Sequence, residues 1–177
     1  GDEVEVVGLY VIGDGGEVLR VGFALGNEYA DHVMERQNYL YLAHSKLRQC
    51  SYGPELLTGE LPKSVAGRAR LLRGDREIWA EDWLSGEDNM CHSIGNLEHH
   101  HFRYRQFRTP GDVHVHYFGA ATGSFTSLPR GSPLASRYAT VFESRSCSTD
   151  CSRPYGHSTT QNCSRNQVKL NISTAVK

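Results

Sequence analysis

The stretch DEVEVVGLYVIGDGGEVLRVGFALGNE, residues 2–28, decides the fold. Its first part, residues 3–12, is rich in Val, Leu and Tyr, and residues 18–25 form a second such run. Between the two runs, the sequence GDGG at positions 13–16 supplies the permissive backbone that a turn needs. Two apolar runs that flank a glycine-rich turn predict a β-hairpin at this point of the chain.

Carboxylates alternate along the first predicted strand of this hairpin. Glu3 and Glu5 flank Val4, so both carboxylates are expected on one face, within reach of a single hard cation such as Mg²⁺. Alternating charges are also typical of a solvated sheet face. A third carboxylate favours the metal interpretation, because the hairpin returns segment 26–28, which ends in Glu28, beside the first strand. The sequence therefore predicts a site built from three glutamates.

Three more segments carry predicted elements. Apolar residues and a charged start favour a helix over residues 32–47, and residues 68–84 read as another hairpin with the tripeptide RGD as its turn. A second helix is expected over residues 90–107, with Ser85 or Asp88 available to cap its start. These elements give a chain in which strands outweigh helices.

Histidines cluster in two places. Consecutive helical residues point about 100° apart, so the run at residues 99–101 cannot place three imidazoles on one metal. At most one or two of these rings face anything together, and a polar helix surface is the favoured interpretation. Residues 113–118 follow a Pro-Gly-Asp turn and read as a strand, on which His114 and His116 share a face. This pair is compatible with metal binding, with orienting a substrate, or with a hydrogen-bonded structural role.

Four polar residues have the spacing i, i+3, i+4 and i+7. A helix that begins near the first of them would bring all four to one side, where they would either extend a pocket or form a polar face. They are Glu28, Asp31, His32 and Glu35.

The two parts of the chain differ in composition. Residues 1–125 carry 12 Lys and Arg against 18 Asp and Glu, whereas residues 126–177 carry 7 against 2 and hold ten Ser and six Thr. We predict one domain over residues 1–125 and a Ser/Thr/Arg-rich tail over 126–177 that is disordered or frame-shifted. The scattered basic residues lack interleaved aromatic residues, which argues against nucleic-acid binding. In the tail Cys147, Cys151, His157 and Cys163 do not have the spacing of a compact zinc motif.

The cysteine content and the hydropathy of the chain indicate in which part of the cell the protein is expected. The chain has five cysteines, an odd number, and no apolar run near the roughly 20 residues that span a bilayer. We therefore expect a cytoplasmic protein that does not bind membranes. The sequence enters a strand at once, and we expect an upstream part to precede it.

The order of these motifs resembles that of the fumarylacetoacetate hydrolase superfamily, and most closely its sugar-acid-catabolism branch with the 2-keto-3-deoxy sugar acid dehydratases. The resemblance covers about residues 2–125 and is carried by four segments: DEVEVVGLYVIG, VGFALGNEYADHVMER, KLRQCSYGPEL and PGDVHVHYFG. It implies a β-rich α+β fold, a mixed-sheet rolled β-sandwich with short peripheral helices. It also implies a homodimer.

The resemblance assigns roles to five residues. Glu3, Glu5 and Glu28 would bind Mg²⁺ or Mn²⁺, with Glu28 in place of the family's usual Asp, and Lys46 would face the substrate oxyanion. His32 is the candidate to replace an acid/base group that the family carries upstream. The implied activity is that of a hydrolase or lyase acting on a small 2-oxo acid through a metal-stabilised enolate, by C–C bond hydrolysis or by dehydration of a 2-keto-3-deoxy sugar acid. The alternative is a truncated, non-catalytic fragment that at most binds metal.

Overall fold

The predicted hairpin at the start of the chain is present and is longer than expected. The computed structural model describes residues 1–73, 75–119, 122–126, 138–145 and 170–174. Strand β1 (Asp2–Ile12) pairs antiparallel with β2 (Val18–Tyr29) over its whole length. Gly16 has a φ of 80° in the connecting turn, a conformation that glycine adopts without steric cost.

Two further strands complete the first sheet. β3 (Cys50–Tyr52) pairs with β2, and β6 (Val113–Tyr117) pairs with β1, which gives the order β3-β2-β1-β6. The predicted strand over residues 113–118 is thus confirmed. The turn before β6 is anchored to β1, because the Ile12 N–H donates to the Asp112 carbonyl at 2.9 Å.

The second sheet is built on another hairpin. Its strands, β4 (Val65–Arg73) and β5 (Arg76–Ser85), confirm the prediction for residues 68–84. β7 (Tyr138–Arg145) pairs with β4, and β8 (Leu170–Thr174) pairs with β7. The strand order of this sheet is therefore β5-β4-β7-β8.

The division of the chain at residue 125 stays a prediction. The cysteines at 147, 151 and 163 lie outside the described residues.

Strand direction differs from the prediction. Every strand pair that the structure describes in either sheet is antiparallel, whereas a mixed sheet was expected. For β1–β2 and β4–β5 the physical reason lies in the connections: these pairs are closed by tight turns, which join antiparallel strands, whereas parallel neighbours need a long crossover, usually a helix. The prediction of a β-rich α+β fold with short peripheral helices is confirmed.

The predicted helix over residues 32–47 is broken into short pieces. They are α1 (His32–Glu35), a 3₁₀ turn (Tyr39–Tyr41) and α2 (Leu42–Ser45). The break falls at Asn38, whose extended backbone and side-chain bond to the Leu40 N–H replace the helical pattern. Glu28 lies on β2 and not at a helix start, so the predicted single helix face with Asp31, His32 and Glu35 is wrong.

The second predicted helix is shorter than expected. α3 (Ile94–Phe102) is capped by Ser93, which accepts a hydrogen bond from the Asn96 N–H, and not by Ser85 or Asp88. Further 3₁₀ turns follow at Arg105–Phe107 and Ser124–Thr126. Within the described part of the chain, no helix is long and apolar enough to cross a membrane.

One apolar core joins the two sheets. The main cluster draws residues from β1, β2, β4, β5 and α3, so the sheets pack on each other with α3 against them. A smaller cluster of Tyr10, Ile12 and Phe102 lies under α3. Burial of these side chains is the main favourable term that holds the described fold. The main cluster consists of Val4, Val6, Phe23, Leu25, Val65, Ala69, Leu71, Trp79, Trp83 and Ile94.

Truncating Leu71 tests this packing. Leu71 is 1% exposed, and we expect Leu71→Ala to lower the free energy of unfolding by about 2–5 kcal/mol, because it removes buried contacts and leaves a cavity. Leu84→Ala, in the same hairpin at a side chain that is 55% exposed, is the matched control, with an expected loss below about 0.5 kcal/mol. Urea unfolding measures both, and equal losses would contradict the described packing.

Candidate active site

Three glutamates converge on one face of the first sheet. Glu3 and Glu28 are direct partners in the register of β1 and β2, and Glu5 lies on the same face two residues along β1. One carboxylate oxygen from each residue lies within 4.8 Å of one from each of the others. The structure therefore brings together the three carboxylates that the sequence analysis named.

Glu5 is the most buried member of this group. Its residue is 4% exposed, and its Oε2 accepts a hydrogen bond of 2.7 Å from the Gly119 N–H. Burial raises the pKa of Glu5 to about 7; the nearby charges of Glu28 and Glu3 act in the same direction, and the Gly119 bond opposes them. Burial also raises the pKa of Glu28. Without a bound cation, full ionisation of all three carboxylates is therefore unfavourable.

Lys46 supplies a positive charge beside two of the glutamates. It caps the C-terminal end of α2 and donates to Glu3 Oε2, while its Nζ lies 3.6 Å from Glu28 Oε2. Burial acts to lower the pKa of Lys46, but the Glu3 hydrogen bond and the surrounding carboxylates raise it overall. Lys46 is therefore a cation at neutral pH, as its predicted role near an oxyanion requires.

His32 lies between two carboxylates at the edge of the group. Its Nδ1 is 3.1 Å from Glu35 Oε2, its Nε2 is 3.3 Å from Glu3 Oε1, and its ring stacks on Phe125 with 4.7 Å between centroids. Burial lowers the pKa of His32, although Glu3 and Glu35 oppose this. A neutral ring with its proton on Nδ1 donates to Glu35 and leaves Nε2 as a proton acceptor.

These groups open into a cavity of about 680 Å³. One wall is formed by the end of β6 and by described residues that follow it. Arg36 also lines the cavity, and its guanidinium lies 4.5 Å from the centre of the Phe125 ring. The lining residues that follow residue 116 are Tyr117, Phe118, Gly119, Thr122, Gly123 and Phe125.

A buried polar network that the sequence analysis did not identify holds this wall in place. The Asp2 carboxylate accepts from Asn27 Nδ2 at 2.9 Å and from Ser124 Oγ at 3.0 Å, and the Asn27 side chain in turn accepts from the Glu3 N–H. Asp2 and Asn27 are 5% and 2% exposed. In the sequence, both are polar residues at strand positions that point inward, where a buried polar group requires hydrogen-bond partners. This pattern is the one that could have revealed the network.

One residue named from the sequence lies elsewhere. Asp31 caps α1 through the Met34 N–H and forms an ion pair of 2.7 Å with Arg48, whose hydrogen bond lowers the Asp31 pKa. It is absent from the residues that line the cavity, whereas Glu28, His32 and Glu35 do line it.

The similarity of this chain to known proteins lies in its structure. No protein-family model matches the chain, and no curated protein does. A solved structure of 2-keto-3-deoxy-D-arabinonate dehydratase complexed with magnesium and 2,5-dioxopentanoate is similar to it, with a TM-score of 0.59, 19% identity and 81% of this chain covered. This chain shares that dehydratase's fold.

Two further structures of the dehydratase support the match. A hexagonal crystal form has a TM-score of 0.59 and the apo form 0.55, both at 19% identity and with 81% of this chain covered. The chain spans 48% of the length of each of these structures. The expected likeness to a 2-keto-3-deoxy sugar acid dehydratase is confirmed for the fold.

The donor set suits a hard divalent cation. Three carboxylates within 4.8 Å of one another offer the oxygen ligands that Mg²⁺ prefers, and burial together with the charges of Glu28 and Glu3 raises the pKa of Glu5. The structure thus contains groups that are able to hold a metal, at the place where the sequence predicted one.

The raised pKa of Glu5 predicts how stability depends on pH in the metal-free protein. Between about pH 4.5 and pH 7 the folded state keeps a proton that the unfolded state has lost, so stability falls as pH rises through this window. The fall due to Glu5 is up to about 3 kcal/mol. Urea unfolding in chelator across this range should show a smaller fall for Glu5→Gln than for the wild type. Parallel pH profiles for the two proteins would contradict the assignment.

Proposed function

We propose that the cavity is the active site of a divalent-metal-dependent enzyme that dehydrates a 2-keto-3-deoxy sugar acid. The observation that carries this proposal is the convergence of Glu3, Glu5 and Glu28 beside Lys46, on a fold shared with a dehydratase of that kind. The magnesium and 2,5-dioxopentanoate in the dehydratase structure support a hard cation and a small 2-oxo acid as ligands of this class of site. The substrate itself, the predicted homodimer and the predicted cytoplasmic location remain predictions.

Glu3, Glu5 and Glu28 would hold the cation, and Mg²⁺ suits them better than a softer ion because all three ligands are carboxylates. When bound, such an ion supplies Lewis-acid chemistry that withdraws electron density from the oxo group of a 2-oxo acid and acidifies the neighbouring C–H bond. Two hydrogen bonds that do not involve the metal would hold β1 and its carboxylates in position. The Gly119 N–H donates to Glu5, and the Asn27 amide donates to Asp2.

Lys46 would bind the anionic end of the substrate. Its amine lies at the edge of the carboxylate group, and its raised pKa keeps it charged at neutral pH. Positive charge at this position stabilises negative charge that develops on a substrate oxygen. The ion pair with Glu3 would weaken once a cation takes over that carboxylate, because Glu3 then has a second positive partner.

His32 would accept the proton. In a dehydration of this type a C–H bond next to the oxo group breaks and its proton would pass to His32 Nε2. The hydroxyl on the following carbon would take a proton from the resulting imidazolium and leave as water, and a double bond forms between the two carbons. Glu35 fixes the ring tautomer that leaves Nε2 free of a proton, and Phe125 holds the ring plane. A lowered pKa keeps the imidazole neutral at neutral pH, which is the state that a general base needs.

A second candidate function is a non-catalytic domain that retains this fold. The observation that favours it is the contact between Lys46 and Glu3, which already neutralises part of the carboxylate charge without a metal. This alternative differs from the enzyme proposal in one measurable respect, which is turnover after metal binding.

Metal affinity tests the ligand assignment. Titration calorimetry with Mg²⁺ and Mn²⁺ above pH 7 should give one site in the wild type, and Glu5→Gln should weaken it by more than about 100-fold, since even partners outside the ligand shell contribute about 10–100-fold. The matched control is Glu55→Gln, which removes an exposed carboxylate that is absent from the cavity lining. Equal affinities for wild type and Glu5→Gln would remove the metal assignment.

Turnover tests the roles of the two catalytic candidates. With Mg²⁺ present, we expect release of water from 2-keto-3-deoxy pentonates, and His32→Gln should lower kcat by about 10²–10⁴-fold because it removes the proton acceptor. Lys46→Met should raise KM and lower kcat. His99→Gln, at an exposed position on α3, is the control.

Acylpyruvates serve as the comparison substrates. Cleavage of acylpyruvates without dehydration would assign C–C bond hydrolysis in place of the proposed reaction. Tight metal binding without turnover of either substrate would establish the non-catalytic alternative.

A further inference from the structure

Three imidazoles meet on the face of the first sheet opposite to the glutamates. His101 comes from the end of α3, whereas His114 and His116 come from β6. One ring nitrogen from each lies within 4.8 Å of one from each of the others, and His101 Nε2 is 3.3 Å from His114 Nδ1. His101 is therefore the one ring of the histidine run that leaves the polar helix surface, because α3 turns it toward β6.

The cluster lies apart from the carboxylate site. In the register of β1 and β6, His116 lies opposite Gly8 and His114 opposite Tyr10, and Tyr10 belongs to the buried face of β1. Glu3 and Glu5 occupy alternate positions on β1 and face the other way. An ion held by the imidazoles would thus be a second ion, separated from the first by the thickness of the sheet.

A ring nitrogen in this cluster lacks a hydrogen-bond partner. In the part of the chain that the structure describes, His116 Nε2 is buried without a partner, and the contact between His101 Nε2 and His114 Nδ1 joins one nitrogen of each of those two rings. A buried polar atom without a partner carries a free-energy penalty, which a bound ion would remove.

Aromatic packing fixes the rings without satisfying that nitrogen. His101 stacks on Phe107 with 4.3 Å between centroids and 14° between planes, and His116 stacks on Phe102 at 5.1 Å and 21°. Stacking uses the ring faces, whereas the lone pairs lie in the ring planes. The rings are therefore held in position while their nitrogens remain available, which is how a preorganised metal site is built.

The separation and chemistry of the nitrogens match a late transition-metal ion. Zinc binds imidazole at about 2.0–2.1 Å with tetrahedral angles, so two of its nitrogen ligands lie about 3.3–3.4 Å apart. The observed distance between His101 and His114 is 3.3 Å. Imidazole suits Zn²⁺, Cu²⁺ and Ni²⁺, whereas the carboxylate group on the other face suits Mg²⁺. Burial and the neighbouring rings lower the pKa of His116 to about 4, which is consistent with neutral ligands.

We propose that His101, His114 and His116 bind one Zn²⁺ ion that links α3 to β6, on the sheet face opposite to the carboxylates. Three protein ligands leave a fourth position for water, since the described residues supply no fourth ligand to this group. The ion would join two elements that also share contacts between the Phe102 ring and the rings of His114 and His116, and it would hold α3 against Tyr10.

Zn²⁺ titration of the full chain that carries Glu5→Gln tests the proposal, because this background weakens the carboxylate site. We expect one equivalent of Zn²⁺ to bind, and His101→Gln or His116→Gln to weaken it by more than about 100-fold. The matched control is the pair His99→Gln and His100→Gln, which changes the two exposed rings of the same run and should leave affinity unchanged. Absence of Zn²⁺ binding in the parent, or an equal loss in the control, would overturn the proposal.

A measurement on the wild-type chain keeps the test independent of variants that fail to fold. Co²⁺ in a tetrahedral nitrogen site absorbs visible light much more strongly than Co²⁺ in an octahedral carboxylate site. We expect an intense visible band that Zn²⁺ removes and excess Mg²⁺ does not. A weak band of octahedral type that Mg²⁺ removes would show that only the carboxylate site binds metal, and the histidine site would be rejected.

Discussion

The antiparallel register of β1 and β2 is the constraint on which the candidate site depends. It sets Glu3 opposite Glu28 and places Glu5 two residues away on the same face. Two carboxylate charges at such a separation repel by about 3 kcal/mol at an effective dielectric constant of about 20. Lys46 offsets part of this repulsion, and the raised pKa of Glu5 removes more of it by keeping a proton on that carboxyl. The pairing of the strands thus holds together groups that would otherwise separate.

The two faces of β1 have different roles, because successive side chains of a strand point to opposite faces of the sheet. One face of β1 presents oxygen ligands to a cavity, and the other presents apolar side chains to the core that joins the sheets. β6 continues this division: Tyr117 lines the cavity, whereas His114 and His116 lie on the side of α3. A shift of one residue in the register would move every one of these groups to the wrong face. The site and the core are therefore specified by one set of backbone hydrogen bonds.

Contacts between distant segments complete the cavity. Lys46 reaches Glu3 from 43 positions away along the chain, and Ser124 bonds Asp2 across 122 positions. Asp2 and Asn27 form a buried polar link in which each carboxylate or amide group has a partner, and this link keeps the wall near Phe125 beside the ligand strand. Fully satisfied buried networks of this kind make one arrangement much more favourable than the others. They explain why the wall and the glutamates have fixed relative positions.

Local patterns in the sequence determined the hairpins, the shared face of Glu3 and Glu5, and the nearness of Glu28, because alternation and turn chemistry depend on neighbouring residues. The sequence did not reveal the break at Asn38, where a side-chain hydrogen bond outweighs helical propensity. It also did not reveal the meeting of His101 with β6. The packing of α3 against the sheet decides which of the three adjacent rings turns inward. Such packing brings together residues that are far apart along the chain, and neighbouring residues in the sequence do not predict it. Tertiary structure alone decided that contact.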